Sequence, residues 1–298
     1  MSQDNLVGRT VAGYNLLSHV GEGGTAQVYR AQHPERGLAA VKILRPRMGQ
    51  DPVAIKRFLR EAEFGSRFNH PNIVRAYDYG EAEGLYFLAL EWAAGEPLAT
   101  FLTASGPLAP PVAAKIIEQL GDALSVAHAA GIIHRDLKPA NIMYDPATQT
   151  ARLLDFGIAR DAEDDPAQRL TKAGSFVGTL QYVAPEALSG ELVREQADVY
   201  SLATIAYHLL AGRLPFPGKN PRELFQQLLL QPPTPLNQAD KNLKFSPALE
   251  AAVMRGLERD RSKRWKTIAE FATAFCDAGR SNREKKDGLA SWFRRSKP

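Results

Sequence analysis

Between Tyr14 and Glu91 the apolar residues come in short runs, "GYNLLSHVG", "QVYRAQH", "LAAVKIL", "NIVRAYDYG" and "LYFLALEW", separated by Gly, Pro and Asn. Runs of this length bounded by turn formers predict strands. One helical pattern interrupts them. Residues 52–68 open with Asp51 as a cap and Pro52 in the first turn, and set Ile55, Phe58, Leu59 and Ala62 on one stripe. From Glu96 onward helical periodicity dominates, over 110–130, 196–212, 221–230, 246–258 and 267–279, while the proline-rich stretch 228–245 reads as a surface loop. The pattern predicts an α+β chain of two lobes. A small β-rich lobe with one helix covers about 12–91, a connection runs over 91–95, and a larger helical lobe covers 96–279. A cleft between unlike lobes is a natural ligand site.

Composition narrows the class. A chain of 298 residues with 44% hydrophobic residues has ample core. Its single cysteine, Cys276, excludes an intramolecular disulfide, fits a reducing cytosol and reads as helix packing. No apolar run approaches the roughly 18 residues of a membrane span, and "MSQDNLVGRT" lacks the build of a signal peptide, so a soluble, cytoplasmic protein is expected. The net charge of +4 is unevenly placed. Residues 280–298 hold seven Lys/Arg against two Asp/Glu, which leaves the body at −1. A near-neutral body with a basic tail argues against a nucleic-acid enzyme. The tail itself reads as a disordered terminus. Its "SWFRRSKP" segment has a composition that can touch anionic lipid or a partner protein.

In "VGEGGTAQVYR", Gly21, Gly23 and Gly24 lie between two strand patterns. Glycine lets backbone N–H groups approach phosphate oxygens with no Cβ in the way, although an ordinary turn explains such a cluster equally well. A dinucleotide-binding turn fits less well, because no helix pattern follows and Lys42, not an acid, sits in the next strand. A strand lysine is usually a solvated edge residue. Glu61, on the inner stripe of the small-lobe helix, is costly there unless paired, and an ion pair with Lys42 accounts for both.

The densest chemistry is in "GIIHRDLKPANIM", residues 131–143, followed a dozen residues later by "ARLLDFGIAR". His134, Arg135, Asp136, Lys138, Asn141, Asp155, Phe156 and Gly157 together resemble the catalytic and metal-binding loops of eukaryotic-type protein kinases. "HRDLKPAN" is similar to the serine/threonine class. "GEGGTAQVYRA" and "RFLREAEFGSRFNHPNIV" resemble bacterial Hanks-type kinases, and the likeness runs from about Tyr14 to about Ala278. "GTLQYVAPE" resembles the substrate-facing end of an activation segment, and "DVYSLATIAYHLLAGRLPF" resembles the central helix of the large lobe.

The resemblance implies the bilobal protein kinase-like fold, with one kinase domain over 1–279, and a protein serine/threonine kinase using ATP and Mg²⁺, with Mn²⁺ as an alternative ion. It makes Asp136 the acceptor of the substrate hydroxyl proton, and Lys138 the cation near the γ-phosphoryl oxygens. Lys42, held by Glu61, takes the α- and β-phosphates, and Asn141 and Asp155 hold the metal. Around the nucleotide it places Val20, Val28 and Ala40 with the three glycines, and Leu90, Glu91 and Ala93 at the adenine edge. Thr179 shapes the pocket for a serine or threonine acceptor. His134, Phe156 and Asp198 are read as packing and bracing residues, and Arg264 as the partner of Glu186.

Departures are small: Ala26 stands where the third glycine falls, "AAVK" replaces "VAIK", and Gly65 weakens the small-lobe helix. Arg135 places a cation beside Asp136 that family members often neutralise with a phosphorylated residue. Thr171 is the first candidate for autophosphorylation and Ser175 the second, although "DAEDDP" can supply negative charge itself. The runner-up is a pseudokinase-like nucleotide-binding scaffold. Such modules usually lack a group corresponding to Lys42, Asp136 or Asp155, and this chain has all three. A small-molecule kinase fits worse, for want of Lys138 and a peptide-binding segment there. Protein substrates are the expected partners. Neither their identity nor the oligomeric state is legible.

Overall fold

The computed structural model describes residues 5–154, 180–189, 191, 193–218 and 220–280. The chain divides into two compact units. The first runs to Ala94 and takes in Leu153. It holds strands β1 (Thr10–Val11), β2 (Tyr14–Glu22), β3 (Ala26–His33), β4 (Gly37–Leu44), β5 (Ala76–Ala82) and β6 (Leu85–Glu91), with helix α1 (Pro52–Ser66) between β4 and β5. The strands form one sheet in the order β1-β2-β3-β4-β6-β5 with antiparallel neighbours. Two hairpins turn on the pairs Ala12-Gly13 and Glu83-Gly84, each with positive φ at both residues. That backbone twist matches the twist of the strands it joins.

Alternation along the strands decides what each sheet face carries. On β4, Ala39, Val41 and Ile43 enter the core with Tyr14, Leu16, Tyr29, Ala31, Phe87 and Ala89. Ala40 and Lys42 therefore point to the opposite face, across from Leu90 and Leu88 of β6. Helix α1 packs toward that second face through Phe58 and Ala62, its N-terminus capped by Asp51, which accepts from the Val53 N–H at 2.9 Å.

The second unit, Gly95–Arg152 and the described residues from Leu180 onward, is mostly helical. It contains α2 (Leu98–Ser105), α3 (Pro110–Ala129), α4 (Pro185–Leu188), α5 (Glu195–Ala211), α6 (Pro221–Leu230), α7 (Leu236–Ala239), α8 (Pro247–Gly256) and α9 (residues 268–280). Helix α5 is apolar on nearly every side, and from Ala197 to Ala211 only His208 escapes full burial. A helix apolar all round sits inside a bundle. Gly256 of α8 admits this packing, since a Cβ there would lie 2.5 Å from the Ala203 Cβ.

The architecture is the expected α+β one, with local differences. Helix α2 and a three-stranded sheet of β7 (Glu96–Pro97), β8 (Ile142–Asp145) and β9 (Thr150–Leu153) were not anticipated, because strands of two to four residues leave no periodicity to read. The strand read over 72–80 starts only at Ala76. Upstream of it, Leu153 N–H donates to Asn72 O and Val74 N–H to Leu153 O, both at 2.8 Å, so that stretch pairs with another part of the chain. The loop read over 228–245 contains the end of α6 and the short α7.

Candidate active site

Candidate site residues occur in both units. In the β-rich unit the glycine-rich turn joins β2 to β3, with Gly21 opposite Val28 and Glu22 opposite Gln27. Gly23 N–H donates to Ala26 O at 2.8 Å and closes the turn. Nothing within the fold demands glycine here. Gly21, Gly23 and Gly24 all have ordinary φ, and a Cβ built on Gly21 or Gly24 would meet no atom within 4 Å. Arg45, which the sequence did not single out, steadies the turn by donating from Nη2 to Glu22 at 2.7 Å and from Nε to Gly23 O at 3.2 Å. No periodicity marks it, because the contact spans more than twenty residues.

Lys42 sits opposite Val28 on β3 and Leu88 on β6. Its Nζ lies 2.6 Å from Glu61 Oε1 on α1, with both side chains mostly withdrawn from solvent. Ala40, Val28, Leu90 and Glu91 lie along the same strands, and Ala93 follows, buried. Val20 is half exposed on β2.

In the helical unit the segment after α3 forms an irregular loop ending in a 3₁₀ turn over Pro139–Asn141. Asp136 is its centre. Lys138 Nζ stands 3.1 Å from Asp136 Oδ2, and Asn141 Nδ2 donates to Asp136 O at 2.9 Å and to Oδ2 at 3.1 Å. With its NH₂ group so engaged, Asn141 keeps Oδ1 as an acceptor, a hard oxygen suited to Mg²⁺.

Arg135, immediately before Asp136, has φ +62°, a left-handed conformation uncommon outside glycine. The buried Asp198 of α5 holds that backbone. Its Oδ1 accepts from Arg135 N–H at 3.0 Å, while Oδ2 accepts from His134 N–H at 2.8 Å and lies 2.8 Å from His128 Nε2. Burial opposes ionisation of Asp198. The His128 hydrogen bond, the neighbouring imidazoles and the His134 N–H outweigh it and hold the carboxyl below its ordinary range. His128 was legible only as one of several scattered histidines, since its partner is 70 residues away.

Two further ties fix the segment that follows. Glu186 of α4 receives Arg264 Nη1 and Nη2 at 2.7 and 2.8 Å. Arg264 also donates to the carbonyls of Glu258, Gln196 and Arg259, so all five of its N–H groups are used, and it lies over the Tyr200 ring. Upstream, Ser201 Oγ donates to Tyr182 O at 2.8 Å, and Tyr182 Oη meets His208 Nδ1 at 2.8 Å. Burial lowers the His208 pKa and raises that of Tyr182, which favours the neutral pair. Asp155, Phe156, Gly157, Thr171, Ser175 and Thr179 lie outside the described residues.

A glycine-rich turn, an ammonium held by a carboxylate, and a carboxylate held by an ammonium and an amide are groups suited to a phosphoryl-transfer class of protein. The chain belongs to the protein kinase domain family, whose model matches residues 14–276. The family uses ATP with a divalent metal ion. Among similar proteins, serine/threonine-protein kinase pkn3 of Myxococcus xanthus is 38% identical over 270 residues, 88% of this chain and 49% of that protein. Serine/threonine-protein kinase PknB of Mycobacterium leprae is 37% identical, over 87% of this chain and 42% of that one. The chain thus spans less than half the length of these relatives. The kinase domain of PknI from Mycobacterium tuberculosis has a similar structure, with TM-score 0.69 and 31% identity over 91% of this chain and 97% of that one. Rad53 in complex with AMP-PNP gives TM-score 0.73 at 27% identity, covering 90% and 67% of the two chains.

Proposed function

We propose that this chain is the catalytic domain of an ATP- and Mg²⁺-dependent protein serine/threonine kinase, spanning about residues 1–279. The observation that carries the proposal is the Asp136 carboxylate held between Lys138 and Asn141. The substrate hydroxyl oxygen forms a bond to the γ-phosphorus while the bond to the β–γ bridging oxygen breaks. Asp136 accepts the hydroxyl proton, and its contact with Lys138 orients the carboxylate while setting a positive charge where phosphoryl charge develops. Lys42, aimed by Glu61, takes the α- and β-phosphates. The open space beside Gly21 and Gly24 lets backbone N–H groups approach them. Asn141 and Asp155 are the metal ligands in this reading, and the ion neutralises charge on the phosphate oxygens.

Thr179 defines the acceptor pocket, and Thr171, ahead of Ser175, is the autophosphorylated residue that answers the Arg135 charge. Partners are proteins with Ser or Thr acceptors. A dependence on ATP and a lone, buried Cys276 favour the reducing cytoplasm. Among the described residues no helix is long and apolar enough to cross a membrane.

Incubation with labelled ATP and Mg²⁺, followed by mapping of modified residues, tests this. Wild type should label itself and a protein acceptor, and Asp136→Asn should lose roughly 10²- to 10⁴-fold in rate. Equal labelling by the two proteins would refute the role of Asp136. Nucleotide binding without transfer in wild type would favour the scaffold. Thr171→Ala should lower activity, and full turnover by that variant in dephosphorylated form would remove the switch.

A further inference from the structure

The helical unit carries an apolar groove of ≈ 740 Å³ that the proposed reaction does not use. One wall is the outer side of α8, with Pro247, Ala248 and Ala251, and the other is the side of α9 that bears Ala274 and Ala278. Alanine side chains on two facing helices are too short to fill the space between them. Trp265 lies in the groove as a fixed aromatic wall, its Nε1 donating to Ala252 O at 3.0 Å and its ring 3.9 Å from the Arg255 guanidinium. The other side of α9 is taken by α3. There Cys276 Sγ donates to Ala114 O at 3.3 Å, and Arg280 Nη2 meets Glu118 at 2.6 Å.

We infer that the groove is the docking site of this chain's own residues 281–298, with Trp292 and Phe293 as the inserted side chains. The chain leaves α9 at Arg280, on the helix that forms one wall. Trp292 lies twelve positions beyond Arg280, a span of up to about 40 Å, whereas Ala274 lies only about 9 Å back along the helix. The slack is enough for a reversal of direction. Trp and Phe bring the large flat surfaces that the alanine walls lack, each burying about 150–250 Å² when enclosed. Arg294 and Arg295 follow directly, in a segment of net charge +4, and Asp277 stands at the rim. Tethering supplies a high effective concentration, so a modest contact suffices.

Hydrogen exchange on the full chain, with and without Trp292→Ser/Phe293→Ser, tests the docking. The doubly substituted protein should exchange several-fold faster across 247–255 and 274–280, at every protein concentration. Ala251→Arg, which puts a charged chain into the groove from its exposed wall, should release the same protection at 274–280 with the tail intact. Unchanged exchange in either variant overturns the inference. Protection that appears only at high concentration overturns it in favour of a second copy's tail. Protection unaffected by the double substitution, together with sedimentation of the full chain on anionic vesicles, assigns the aromatic pair to lipid instead.

Discussion

Lys42 and Glu61 meet through one contact of 2.6 Å, with 16% and 17% of their side chains exposed. Arg264 meets Glu186 through two, with 0% and 6% exposed, and spends its three remaining N–H groups on carbonyls. Both pairs join a cation to a carboxylate, yet they do different work. The second is a closed system: every donor is used and no ligand can enter, so its value lies in fixing α4 to the region after α8. The first is held by a strand on one side and a helix on the other, with both side chains still in part exposed. Satisfied burial marks a structural pair, and incomplete burial marks one that can serve a ligand.

The largest expected effect comes from breaking the closed pair. Arg264→Lys removes the two-pronged contact and leaves three carbonyls and a buried carboxylate short of donors, and should cost about 3–5 kcal/mol of unfolding free energy in denaturant titration. Asp198→Asn should cost about 1.5–3 kcal/mol at neutral pH, because the carboxylate gathers three donors around the strained Arg135 backbone. Its pH dependence has a definite sign. The folded pKa is depressed below the ordinary 3.8, so the contribution is complete above that value and is lost as pH falls through the lower folded value. Acid unfolding curves of wild type and Asp198→Asn should therefore stay apart at the ordinary carboxylate value and converge only once the pH falls below the depressed folded value.

Lys42→Met sharpens the contrast by separating activity from stability. Stability should fall by about 1–3 kcal/mol, because the mostly buried Glu61 carboxylate loses its ammonium partner, while phosphoryl transfer falls roughly 10²- to 10³-fold. A stability loss as large as that of Arg264→Lys would erase the distinction between the two pairs. Arg45→Ala should show the smallest change, within about 0.5 kcal/mol in stability, because Glu22 is exposed. Its effect should be a raised KM for ATP as the glycine turn loosens, measured in steady-state kinetics.

Much of the fold was legible because its elements are long enough to carry a period. Helix α1 announces itself by Asp51-Pro52, α6 and α8 by helical periodicity over 221–230 and 246–258, and β4 by alternation that sets Lys42 against Val41 and Ile43. The loop chemistry at Asp136, Lys138 and Asn141 was legible because all three lie within six residues of one another. Glu61 could be singled out because a carboxylate on an apolar stripe needs a partner. The short strands β7, β8 and β9, the restraint of the glycine turn by Arg45, and the gathering of His128 with the Arg135 backbone around Asp198 were not.

By itself, then, the sequence determined most of the longer strands and helices, which face of each is apolar, and which polar residues lie close along the chain, since these follow from local periodicity and spacing. The tertiary structure alone decided how distant polar groups share their hydrogen bonds. Whether a buried carboxylate such as Asp198 is satisfied depends on donors 63 to 70 residues away. Chain spacing carries no information about such pairings, because only packing brings the partners within 3 Å.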